Sequence, residues 1–492
     1  MPRPRPDAPA LESECRAGSA PCAVGDTLVA HSVSSTTPLR FRERITTTFF
    51  AADSSAGASG RGRGIRAGLR DLRSRSRRVI SEHRHKRKLR DREVSDQSRR
   101  GLDWTNFFMA DVQIGFGSFL AFYLADLGWS KQNVGLALTV GGLAGVLFMI
   151  PGGALSDAVR WKRGLTAAGI IAIGIAALIL ALQPSVPLVF AAEILHGIAG
   201  GILAPAVAAI SLGLAGRHGM SCRIGRNFRF AATGNALTAA AMGALAAYLS
   251  NRAIFIVAAL LCLPALFALS RIRPDEIDYI RARNATKQDH TLSLQRLTDL
   301  GKNWKLLLFG GCLLLFHLAN APMLPLVSQN LAHGKLPSSS LFMAALLIVP
   351  QIVVAVFAPW VGYWSELWGR KPLLLAGFLI EAGRALLFAF DGDPWFMIAV
   401  QALDGITGAI VTVLTVLVIT DLTAGTGRFN LAQGVLGAVM AAAAALGTGA
   451  VGIIVEHLGD LAGFSAMAAA VLAGTALLWV YMPETKPERY SD

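Results

Sequence analysis

Residues 152–164 read GGALSDAVRWKRG, and residues 361–372 read VGYWSELWGRKP. Each segment follows one apolar run and precedes another. Gly153 and Asp157 of the first match Gly362 and Glu366 of the second at an offset of 209 residues. The offset recurs on either side. Phe107-Phe-Met-Ala-Asp111 matches Phe316-His-Leu-Ala-Asn320, again 209 residues on. Glu193-Ile-Leu-His196-Gly197 matches Gln401-Ala-Leu-Asp404-Gly405 at 208, and Gly225-Arg226 matches Gly427-Arg428 at 202. Four matches in one order, at corresponding runs, mark an internal repeat.

The runs themselves decide the environment. The chain is 53% apolar and only 16% charged, whereas a soluble domain carries about 25% charged residues. The apolar residues fall in blocks of about 20, the length that crosses a hydrocarbon core. Backbone polar groups find no partners in lipid, so such blocks must be helices. Expected spans are 104–125, 134–156, 164–182, 187–214, 228–250, 252–270, 304–328, 339–364, 372–391, 394–421, 430–456 and 460–482. The expectation is an all-α integral membrane protein with twelve transmembrane helices in two pseudo-symmetric six-helix bundles. An even number of spans per half gives both halves the same orientation, a parallel repeat about an axis along the membrane normal.

Around these spans the sequence divides further. Residues 1–100 hold 22 Lys/Arg and 11 Asp/Glu, so most of the net charge of +14 sits there. They include RGRGIRAGLRDLRSRSRR and HRHKRKLRDR and no run that could span or build a core. Such like-charge blocks stay solvated. This segment is expected to be a disordered basic tail, a targeting segment or an extension that the functional protein lacks, its eleven acids telling against targeting. Residues 101–270 are expected to form the N-terminal bundle, 271–303 a polar linker, 304–482 the C-terminal bundle and 483–492 a tail. Lys/Arg bias places the linker and both termini in the cytoplasm, because Arg160, Lys162, Arg163, Arg217, Arg223, Arg226, Arg229, Arg370, Lys371 and Arg428 all follow even-numbered spans. The localisation that follows is a multi-pass inner (plasma) membrane protein. The basic charge belongs to the tail, so it gives no reason to expect a nucleic-acid partner. The five cysteines form no C-x-x-C pair, and neither a metal nor a cofactor is expected.

These features resemble the major facilitator superfamily, over about residues 101–492. The loop between the second and third helices of that family carries Gly-x-x-x-Asp, then a glycine and two basic residues. The second copy fits with Gly362, Glu366, Gly369, Arg370 and Lys371. The first keeps Gly153 and Asp157 but has Arg160 where the glycine is expected, and its basic residues Lys162 and Arg163 are slightly displaced. The resemblance implies alternating access, with this loop latching the cytoplasmic side; the alternative is a topology signal without gating. Two departures tell against a drug-antiporter subgroup. Glu193 stands where many proton-coupled exporters of the family have a basic residue, and the glycine- and proline-rich signature of helix 5 is missing.

Charged groups within spans are costly and mark cavities or partners. Asp111 lies about 10 Å along span 1 at 1.5 Å per residue, as a proton or substrate site or as a structural carboxylate. Glu193 and His196 share one face of span 4 at i, i+3 spacing, as a proton-coupling pair or as helix-packing groups beside Gly197 and Gly201. Asp404 is the repeat partner of His196. His317 and Asn320 share a face of span 7 just before Pro322 and Pro325, which are expected to break or kink that helix. Asp111, Glu193, His196, His317, Asn320 and Asp404 are therefore the expected cavity residues. Glu381 and Arg384 are expected to neutralise each other as a structural pair, since the ninth helix lies outside the cavity in the family.

H-E-x-x-H, P-loop and G-x-S-x-G motifs do not occur, so no enzyme is expected. The reading is a monomeric secondary transporter, with a small-molecule substrate and protons as its partners. Proton-coupled export of an organic metabolite or toxic compound is preferred. Proton-coupled uptake and a non-transporting sensor or scaffold on the same fold are the alternatives.

Overall fold

A computed structural model describes residues 94–487, apart from 115–119, 121–122, 125–126, 183, 249–250, 287–299, 334–338 and 391–392. The basic segment up to residue 93 lies outside the described residues. Helix α1 is Asp96–Ile114, α2 Lys131–Ala158 and α3 Lys162–Leu182. One helical stretch, Val186–Tyr248, bends at Gly216, where φ is 66°. Its two arms are α4 (186–215) and α5 (217–248). Helix α6 is Asn251–Ser270, α7 Trp304–His333, α8 Ser339–Trp368 and α9 Arg370–Phe390. Helix α10 is Pro394–Leu422, α11 Phe429–Leu458 and α12 Asp460–Tyr481.

Among the described residues ten stretches are long and apolar enough to cross a membrane, and Val186–Met242 among them holds two spans. Helix α1 occupies the place of the first expected span, with Leu120, Tyr123 and Leu124 buried beyond its described end. The fold is thus the expected one of two six-helix bundles, each with its own apolar core. Helix α1 starts about two turns before the expected span, and those turns carry charged residues discussed below. Gly216 adopts φ 66° and ψ −180°, a region that side-chain-bearing residues avoid at a cost of about 1–3 kcal/mol. Gly216→Ala is expected to lower stability by that order, read as a drop in melting temperature. Unchanged melting would mean that the bend is not set by this residue.

Helices approach closely where glycine meets a carbonyl that proline has released. Pro205 has no N–H, so the carbonyl of Gly201 is left over. A Cβ on Gly152 would lie 2.6 Å from that oxygen. Pro322 likewise frees the carbonyl of Leu318, against which Gly447 of α11 packs. Neither Pro322 nor Pro325 breaks α7, which runs unbroken from Trp304 to His333. Gly447 packs against the carbonyl that Pro322 frees, and the helix continues through both prolines without the break that was one of the expected outcomes. Gly197 packs on Gly141 and Gly145 of α2, and its repeat partner Gly405 packs on Pro350 and Val353 of α8. The repeat seen in the sequence is therefore a repeat of helix contacts.

Between the halves, two crossings dominate. Helix α2 meets α11, with a Cβ on Gly153 falling 3.0 Å from the Cα of Leu431. Helix α5 meets α8, with a Cβ on Gly225 falling 2.9 Å from the Cα of Pro359. Pro359 frees the carbonyl of Ala355, which accepts from Arg229 Nε at 3.2 Å. Asn235 Nδ2 donates to Gln351 Oε1 farther along, at 3.2 Å. These crossings sit at the end of the bundle that holds the 271–303 linker, here termed the linker side.

Candidate transport site and linker-side latch

The two repeated loops form the linker-side contacts. Helix α11 begins after Arg428, which makes no side-chain capping bond. Its free amides are met instead by Asp157, at the end of α2 in the other half. Asp157 Oδ2 accepts from Leu431 N at 2.8 Å, and Oδ1 from Asn430 N at 3.3 Å and Asn430 Nδ2 at 2.9 Å. The carboxylate therefore caps a helix of the opposite bundle, where N–H groups carry partial positive charge. Glu366 holds the symmetry-related place. It accepts from the Ser221 hydroxyl near the start of α5, and its own half supplies Arg370 Nη2 at 2.8 Å.

Arg370 is 3% exposed. It donates to the carbonyl of Ser365 at 2.6 Å and to Asp421 at 3.2 Å. In the first half Lys162 takes that part, donating to the carbonyl of Ser156, the counterpart of Ser365. The displacement has a plain cause. Gly369 alone separates α8 from α9 at φ 98°, whereas three residues, Val159 to Trp161, separate α2 from α3. Arg160 needs no left-handed turn there, so the departure from the glycine pattern costs nothing locally. Arg163 Nη1 donates to the carbonyl of Ile272 at 2.5 Å. Lys371 Nζ donates to the carbonyl of Trp479 at 2.8 Å. Arg160, Lys162 and Arg283 all lie over the Tyr279 ring, at 5.4, 5.3 and 5.3 Å from its centroid. Tyr279 Oη in turn donates to the carbonyl of Ala158 at 3.1 Å.

A second cluster joins α7, α9 and α10. Asn320 Nδ2 donates to Glu381 Oε1 at 2.9 Å and to Asp404 Oδ1 at 3.1 Å. Arg384 pairs with Glu381 at 3.3 Å and with Asp404 through Nη1. Thr407 Oγ1 donates to Glu381 Oε2 at 3.0 Å, and Gln401 Nε2 reaches Asp404 Oδ2 at 3.4 Å. The Glu381–Arg384 pair forms, but it is not self-contained. It reaches into the cluster through Asn320 and Asp404, because i, i+3 spacing on α9 aims both side chains at α10. His317 Nδ1 donates to the carbonyl of Leu313 at 2.9 Å, which leaves Nε2 as an acceptor one turn from Asn320.

The N-terminal half is built differently. Glu193 is 3% exposed and packs its carboxylate against Gly141 of α2. Its Oε1 accepts no hydrogen bond, so sharing a helix face with His196 does not bring the imidazole to that oxygen. The structure brings Asn320 and Asp404 together but sets Glu193 in the α2–α4 seam of the other bundle. The side chain of Asp111 lies outside the described residues.

Sequence reading missed one network entirely. Asp103, 1% exposed, binds Arg223 and also Arg226 Nη2 at 2.7 Å. Arg223 Nε donates to Asn227 at 2.7 Å, and Asn227 to Ser211 at 2.7 Å. The i, i+3 spacing of Arg223 and Arg226 was the available signal. In the sequence it is indistinguishable from the general basic bias of the spacers.

A family model described as the Major Facilitator Superfamily matches residues 103–350 and 306–492. The chain belongs to this superfamily. Members of the superfamily are transporters, and this one is a multi-pass membrane transporter. It is 37% identical over 396 residues to an uncharacterized MFS-type transporter of Mycobacterium tuberculosis (strain ATCC 25618 / H37Rv), covering 80% of this chain and 94% of the relative. It is 36% identical over 83 residues to the class B tetracycline resistance protein of Escherichia coli, covering 17% of this chain and 20% of that one. The crystal structure of the superfamily transporter FucP in its outward conformation superposes with a TM-score of 0.63 at 12% identity, covering 78% of this chain and 98% of that one. At that identity the likeness is one of fold.

Proposed function

We propose that this transporter exports a small organic molecule in exchange for protons, by rocking its two bundles about a site near Asp404. The linker side is the cytoplasmic side in this reading, following the Lys/Arg bias of the loops. The observation that carries it is the position of the cross-half bonds. Asp157 caps α11, and Glu366 binds Ser221, both at the linker side. Opening towards the cytoplasm requires breaking these bonds, so Asp157 and Glu366 act as the gate. The Asn320, Glu381, Arg384 and Asp404 cluster lies beyond them along the helices. It supplies the charged interior that a proton-coupled carrier needs.

Part of the chain resembles a tetracycline resistance protein, which favours export over uptake. Glu193, buried without a partner for Oε1, is a second acid that can take up and release a proton. The test is flux in proteoliposomes. With a pH gradient imposed, a substrate found by screening a deletion strain for drug sensitivity is expected to move against its own gradient. Asp404→Asn is expected to abolish that uphill movement. Uphill transport that persists when the pH gradient is collapsed would remove protons from the mechanism.

A further inference from the structure

The α7–α9–α10 cluster has more acceptors left over than donors. Asn320 uses its amide on both Glu381 and Asp404. Arg384 divides Nη1 and Nη2 between the same two carboxylates, and Nη2 also touches Met323 Sδ at 3.1 Å. Two carboxylates therefore face one guanidinium, which leaves an excess of one negative charge. On the acceptor side, among the described residues Asp404 Oδ2 has only the 3.4 Å contact with Gln401. The amide of Gln401 is 1% exposed, and its Oε1 has no hydrogen-bond partner. A buried amide oxygen without a partner is costly, and here it sits beside an under-satisfied carboxylate. His317 Nε2 adds a third acceptor one turn along α7 from Asn320. Arg384 Nε also lacks a partner. However, the Arg384 guanidinium is held by Glu381 and Asp404, and the Asp404 side chain is 28% exposed, so an arriving ligand meets the carboxylate first.

We propose that this cluster is the binding site for a protonated amine: a monovalent organic cation that donates N–H bonds to Asp404 Oδ2 and Gln401 Oε1. This rests on the reading of the cluster as the transport site. An anionic substrate would meet an excess negative charge, with the only nearby guanidinium among the described residues already claimed by two carboxylates. A cation with N–H groups supplies both the missing charge and the missing donors.

The test uses the full-length purified protein and two probes of like hydrocarbon and opposite charge, phenethylammonium and 3-phenylpropionate. Isothermal titration is expected to show binding of the ammonium ion and none of the carboxylate. Gln401→Leu, which leaves the Arg384 pairs in place, is expected to weaken ammonium binding about tenfold. Asp404→Asn is expected to remove it, with thermal melting as the check on folding. If Asp404→Asn does not fold, Gln401→Leu decides. Binding of the carboxylate as tight as that of the ammonium overturns the proposal. So does binding of neither probe, or ammonium binding unchanged in Gln401→Leu. Flux separates this inference from the reading beneath it. Asp404-dependent ammonium binding without movement of any compound in proteoliposomes leaves the cation site standing and removes its transport role. Asp404-dependent transport of an anion does the reverse.

Discussion

Arg384→Met is expected to destabilise the protein by about 3–5 kcal/mol, because it leaves two carboxylates in the helix interior without their cation. Glu381 is fully buried, and its remaining partners, Asn320 and Thr407, are neutral donors. They can hold a carboxylate in place but cannot balance its charge. The measurement is the melting temperature in detergent, followed by fluorescence. The double variant Arg384→Met with Glu381→Gln is expected to recover a large part of the loss, since one of the two stranded charges is then gone. A single variant that melts like the parent would mean that both acids already carry protons, and the charge argument for the cluster would fall.

Gly434→Leu is expected to abolish transport while leaving the protein folded. Gly434 lies on α11 where that helix crosses α2, and any Cβ there runs into the carbonyl of Met149. The obstacle is backbone, which cannot swing aside as a side chain can. The two bundles can relieve it by separating on the linker side, which breaks the Asp157 cap. The expected signature is at least a tenfold fall in flux and faster labelling of a cysteine placed at Ala154, in a background without native cysteines. Slower labelling, or flux like that of the parent, would contradict the assignment of this crossing as a gate. An equivalent substitution inside one bundle, at Gly197, would disturb packing without this directional change in labelling.

Much of the architecture was legible because lipid imposes one rule on every span. Apolar blocks of fixed length have no other solution than helices, and the offset of 209 residues between Gly153 and Gly362 made their pairing visible. The repeated loop between the second and third helices of each half was legible for the same reason, since its residues recur in both halves. The first copy was harder, because two further non-helical residues around Arg160 shifted the basic position from the place of Arg370 to that of Lys162. That shift depends on where a helix restarts, which periodicity does not reveal.

The polar cluster was only partly legible. Asn320, Glu381, Arg384 and Asp404 were each marked by their charge or polarity within an apolar run. Their union was not, because spacing along one helix says nothing about which neighbouring helix a side chain will reach. Glu193 and His196 show the converse: one face of one helix, yet the Glu193 carboxylate turns to α2. Asp103 with Arg223 and Arg226 escaped because long-range ion pairs at loop ends look, in sequence, like ordinary surface charge.

The bond between Asp157 and the start of α11 has a genetic corollary. Two of its three donors are main-chain amides, of Asn430 and Leu431. No ordinary substitution at those positions, proline aside, takes an amide hydrogen away. An alanine scan of α11 would therefore pass over most of this contact and report it as unimportant. Variation can tune its strength chiefly from the acceptor side, at a single codon, that of Asp157. On the other crossing, both the Ser221 hydroxyl and Glu366 are side chains, so either partner can drift. Of the two crossings, this second one leaves the wider choice of chemistries by which sequence change can adjust the contact.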